Sequence, residues 1–64
     1  MKRNQVLKHL RRHGCVVSRE GKKHTLIWNP VAQLGAALPR HNEIKDILVT
    51  IICRELDIPA PGKE

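Results

Sequence analysis

The chain has 64 residues, a length that suits one small domain with a thin core. Twelve Lys and Arg against six Asp and Glu give a formal charge of +6, which makes a polyanion the first partner to consider. One Trp with no Tyr or Phe argues against a base-stacking platform of the RRM or OB type, and no apolar run approaches the roughly 20 residues of a membrane-spanning helix.

The N-terminus is basic and helix-like, without the apolar run of a secretory signal. Asn4 suits an N-cap, and Gln5 to His13 reads as a helix. Val6, Leu7 and Leu10 form its apolar face, and Gly14 suits its C-terminal cap. Cys15 to Arg19 reads as a strand, Glu20 to Lys23 as a turn, and His24 to Asn29 as a second strand stopped by Asn29-Pro30. Val31 to Gly35 reads as a loop. Ala36 to Leu38 reads as a third strand ended by Pro39. His41-Asn42 then offers a cap for a second helix over Glu43 to Leu56. The expected fold is α+β, in the order α-β-β-β-α. A three-stranded antiparallel sheet carries both helices on one face. One domain is expected over residues 1–58, with an extended tail over 59–64. Cys15 and Cys53 lie in apolar surroundings without CxxC spacing and read as buried thiols of a reducing cytoplasm.

Chemistry concentrates in Gly21-Lys22-Lys23-His24-Thr25-Leu26-Ile27-Trp28. Strand alternation puts His24, Leu26 and Trp28 on one side, with Thr25 and Ile27 on the other. A histidine held by a rigid strand beside Arg19, Lys22 and Lys23 suits acid–base chemistry on a phosphodiester. Its bland counterpart is an exposed turn histidine in a basic hairpin. Lys8 and Arg12, with Arg11, form a cationic helix face that either contacts phosphates or is only solvated. His9 and His13 are spaced i, i+4 but lack a second ligand pair, so they read as a solvated helix edge rather than a zinc site.

In the second helix, Ile44, Ile47, Leu48 and Ile51 follow helical spacing and are expected to face the core. Val49, Cys53 and Leu56 lie on another side. They are expected to form an interface with a second protein or a second copy of this chain. The competing reading folds the tail Ile58-Pro59-Ala60-Pro61 back over them.

The order of elements and several residues together resemble the HicA family of toxins. The resemblance rests on Val6-Leu7-Lys8-His9-Leu10 with Gly14, on His24 opening the second strand, on Asn29-Pro30, and on Leu38-Pro39-Arg40-His41 before an amphipathic helix. The family's Gly-Ser-His histidine falls on His24, with Lys22 and Lys23 standing where Gly and Ser are usual. The resemblance implies a double-stranded-RNA-binding-domain-like fold and a cytoplasmic messenger-RNA endonuclease (an mRNA interferase). It implies no cofactor and no required metal. It also implies a partner, a HicB-type antitoxin that neutralises the toxin. The rival readings are a non-catalytic RNA- or DNA-binding module and an interaction subunit for an acidic partner.

Overall fold

In the computed structural model, which describes residues 1–62, the chain runs α1 (Arg3–Arg12), β1 (Val16–Glu20), β2 (His24–Asn29), β3 (Leu34–Pro39) and α2 (Asp46–Glu55). This is the expected α-β-β-β-α order. The strands form an antiparallel meander with β2 in the centre. Alternation along β2 separates two faces: Thr25, Ile27 and Asn29 are buried, while His24, Leu26 and Trp28 are exposed. Ile27 and Leu38 pack with Val6 and Leu10 of α1 and with Val49, Ile52 and Cys53 of α2. Both helices therefore cover one face of the sheet, and the other face is open.

Both helices begin later or earlier than local cap rules place them. The first helix starts at Arg3 with Lys2 as its N-cap, not Asn4. The cause is tertiary. Lys2 bridges to Glu43, the Arg3 N–H donates to the Asn42 carbonyl at 2.9 Å, and the Ile44 N–H donates to the Met1 carbonyl at 2.8 Å. The same pairing holds residues 42–44 extended, so α2 starts at Asp46 and His41-Asn42 does not cap it. At the other end of α1, Gly14 adopts φ 86°, a left-handed conformation that costs glycine little. The N–H groups of Gly14 and Cys15 then return to the carbonyls of Arg11 and Leu10 at 3.0 and 2.9 Å.

The second helix is rotated from its expected setting. Val49, Cys53 and Leu56 are buried at 2%, 1% and 0% exposure, whereas Ile47 and Ile51 are 71% and 45% exposed. The reading of Val49, Cys53 and Leu56 as a partner interface is thus overturned: they are core. Two stripes on this helix satisfy the same spacing, 44-47-48-51 and 49-52-53-56. Ile44 lies ahead of the helix, so it sets no helical phase. The second stripe is completed by Ile58 and Ala60, which pack against the core. Asp57, at φ 57°, turns the chain back for this contact, with the Ile58 N–H donating to the Cys53 carbonyl at 3.0 Å. Residues 59 and 60 therefore belong with the packed unit rather than with a free tail; residues 63 and 64 lie outside the described residues. His9 is also corrected. It is buried, and its Nε2–H donates to the Pro59 carbonyl at 2.8 Å. Its place is under the returning tail, not on a solvated edge.

Asn29 joins the layers. Its Nδ2–H donates to the Leu56 carbonyl at 2.7 Å, at the end of α2. Its Oδ1 accepts the N–H groups of Val31 and Ala32 at 3.1 and 3.4 Å, and its own carbonyl accepts the Gln33 N–H at 2.8 Å. This compacts the expected loop into a turn over residues 30–33. The third strand consequently begins at Leu34, earlier than the sequence pattern marks, and pairs with Asn29 itself.

Two outcomes test this packing. Asn29→Ala should lower the unfolding free energy by about 1–3 kcal/mol, because the Leu56 carbonyl loses its donor. An unchanged denaturation midpoint would show that this amide does not join the layers. Val49→Lys should unfold most of the protein, since a buried unpaired charge rivals the total stability of such a domain, on the order of 3–10 kcal/mol. Ile47→Lys should leave the melting temperature nearly unchanged. Equal effects from the two substitutions would reverse the assigned rotation of α2.

Candidate functional site

The turn between β1 and β2 is built around Gly21. Its N–H donates to the His24 carbonyl at 2.8 Å, and a Cβ at this position would lie 2.8 Å from that same oxygen. Only glycine permits so close an approach. Lys22 and Lys23 form the exposed tip of the turn. His24 follows as the first residue of the central strand, exposed and on the open face.

Two arginines pin this end of the sheet. Pro39 stands opposite His24 in the β2–β3 register, which brings Arg40 to the turn. Arg40 Nη1 donates to the Gly21 carbonyl at 2.8 Å, and its Nη2 lies 3.6 Å from Glu20 Oε2. From the helix side, Arg3 donates to Thr25 Oγ1, and its Nε donates to the Pro39 carbonyl at 3.4 Å. Neither arginine is singled out by the sequence pattern. The one signal for Arg40 is its position directly after the proline that ends β3, which an antiparallel meander places beside the first turn.

Arg19 reaches the site through an irregularity. The β1–β2 register pairs Val16 with Trp28 and Val17 with Ile27, then shifts so that Arg19 pairs with Leu26. Ser18 is the extra residue of a bulge. With unbroken alternation Arg19 would share a side with Val17, on the helix face. The bulge turns it onto the open face beside Leu26. The structure therefore gathers Arg19, Lys22, Lys23 and His24 at one end of the open face.

Lys8 and Arg12 are not part of this group. They sit on α1, on the other side of the sheet, and border a shallow groove with Gln5, His9 and Pro61. The basic surface expected from sequence is thus two surfaces on opposite layers.

The shifted ionisations lie elsewhere. Burial pushes the Cys15 thiol up, away from the reactive thiolate. The hydrogen bond between the Met1 ammonium and Glu43 raises the ammonium and, with Lys2, lowers the Glu43 carboxyl. That group clasps the N-terminus to residue 43, at 2.6 Å. What the open face offers chemically is an accessible imidazole on a rigid strand, flanked by cations that suit phosphate oxygens.

Comparisons with models of protein families, with curated proteins and with solved structures return no match. The functional reading therefore rests on the residues and their geometry.

Gly21→Ala tests the turn. The added methyl must displace the His24 carbonyl, at a cost of roughly 1–3 kcal/mol. A lowered melting temperature is expected, together with altered NMR shifts for Lys22 to Thr25. A mutant that matches the wild type in both would mean that the turn does not hold His24 in place.

Proposed function

We propose that this chain is a metal-independent endoribonuclease that cleaves messenger RNA, with His24 as its acid–base group. The observation that carries the reading is the placement of His24: exposed, on the central strand, on an open sheet face, with Arg19, Lys22 and Lys23 at the same end. The resemblance to HicA toxins points the same way, because the family's catalytic histidine falls on this position.

The chemistry needs little machinery. The ribose 2′-oxygen attacks the adjacent phosphorus while the P–O5′ bond breaks. The products are a 2′,3′-cyclic phosphate and a 5′-hydroxyl. One proton leaves the 2′-OH and one arrives at the 5′-oxygen. An imidazole can take the first or supply the second, and water serves the other transfer. Lysine and arginine beside it hold the phosphate and offset the charge that builds on its oxygens. A single acid–base group provides about 10²–10⁴-fold acceleration. That is modest, and sufficient for a toxin that acts on many messages. Its substrate places the protein in the cytoplasm, as the toxin half of a toxin–antitoxin pair. A HicB-type antitoxin neutralises it by covering His24 and the cations beside it.

The test is incubation of purified protein with a long single-stranded RNA in the presence of EDTA. Cleavage should yield cyclic-phosphate ends. His24→Ala should slow it by about 10²–10⁴-fold while melting like the wild type, because the His24 side chain is exposed. A His24→Ala protein that cleaves at the wild-type rate would falsify the assignment. RNA binding without cleavage by the wild type would leave a non-catalytic RNA-binding module instead.

A further inference from the structure

Beyond His24, the open sheet face carries a row of features that the reaction does not use. Strand alternation aligns His24, Leu26 and Trp28 on this face. Leu26 and Trp28 are 42% and 38% exposed, which is unusual for large apolar side chains in the middle of a central strand. The neighbour of Trp28 on β3 is Gly35. A Cβ at Gly35 would lie 3.5 Å from the indole, and glycine supplies none, so the residue directly opposite on β3 leaves the ring uncovered. Ala37, opposite Leu26, adds only a methyl group. Ser18, Leu26, Trp28, Gly35 and Ala37 line a shallow depression across the face, which Ile27, Ala36 and, from α2, Glu55 also border. At one end stand His24, Lys22 and Lys23, and the bulge at Ser18 brings Arg19 alongside Leu26.

An apolar surface with cations gathered at one end selects its occupant. An apolar protein partner gains from Leu26 and Trp28 but nothing from the cations. A single-stranded nucleic acid uses both: bases stack on an aromatic face while phosphates follow the positive charge. A duplex does not, because its base faces are already stacked within the helix. One indole is not the multi-aromatic platform of an RRM, so it serves one base rather than a run of them.

We propose that the open face is a track for single-stranded RNA, in which Trp28 stacks on one unpaired base while His24 and the cations beside it lie at the cleavage end. This rests on the ribonuclease reading for its ligand and adds a substrate class and a positioning residue. Trp28 lies four residues from His24, or ~14 Å along the strand at the usual rise. The stacked base is therefore a few nucleotides from the phosphate that is cut. Stacking tolerates any base. The track accordingly demands that this nucleotide be unpaired, not that it be a particular one.

Trp28 is the chain's sole aromatic residue of the Trp, Tyr and Phe set, so its emission reports the site without interference. The probe is a fluorescein-labelled single-stranded oligoadenylate with 2′-O-methyl riboses, which lacks the nucleophile and cannot be cut. Label anisotropy measures binding independently of the indole. Tryptophan emission should change over the same concentration range as anisotropy for the single strand. For the same strand annealed to its complement, the change should be small or absent. Trp28→Leu should weaken single-strand affinity roughly tenfold or more, and Trp28→Phe should keep most of it. In cleavage of a long RNA, Trp28→Leu should raise KM and leave kcat nearly unchanged.

Binding with unaltered tryptophan emission would overturn the track and leave the ribonuclease reading standing, as would full affinity in Trp28→Leu. Absence of any anisotropy change, for single strand and duplex alike, would defeat both. The emission measurement uses the wild-type protein, so it decides the matter even if a Trp28 variant is poorly folded.

Discussion

The structure depends on a single buried amide. Asn29 ends the central strand, folds the turn that follows, and donates to the carbonyl of Leu56, which caps the C-terminal helix. There polar bonds add to the apolar core that joins the sheet and helix layers. In a thin core this matters, because a small domain buries a smaller share of its surface than a large one. The same turn sets the register of β3 against β2. That register puts Pro39 opposite His24 and delivers Arg40 to the Gly21 carbonyl. The geometry of the candidate site therefore follows from a side chain at the far end of the same strand.

Two helices of ten residues each cover the same side of a three-stranded sheet, which leaves the other face open among the described residues. The returning tail is spent on the helix side, where Ile58 and Ala60 close the core and Pro59 accepts from His9. The uncovered face is where His24, Arg19 and Trp28 stand. An open face with a basic end suits a ligand that supplies both apolar rings and negative charge, and RNA does so.

Cations are divided between layers. Arg3 and Arg40 are engaged with backbone carbonyls and with Thr25 and Glu20, so they shape the site from below. Lys22 and Lys23 project from the turn, and Arg19 reaches the open face through the bulge. Formal charge alone does not distinguish these roles. Whether a cation positions the backbone or meets a phosphate depends on what its side chain already touches.

The order of elements, the turn at Gly21, the alternation of β2 and the nearness of Lys22, Lys23 and His24 are legible in the residues alone. Each depends on local rules: a period of two, a glycine where backbone groups approach closely, and neighbours in the chain. The tertiary structure alone decided the rotation of α2, because two apolar stripes share the same helical spacing and only the sheet and tail select between them. It decided where both helices start, because Met1 to Arg3 pair with residues 42–44 across most of the chain length. It buried His9 beneath Pro59, and it put Lys8 and Arg12 on the layer opposite His24. It also turned Arg19 outward through a bulge that composition does not mark. Except at the bulge, which lies within one hairpin, the deciding contacts join residues far apart in sequence, and no local pattern carries that information.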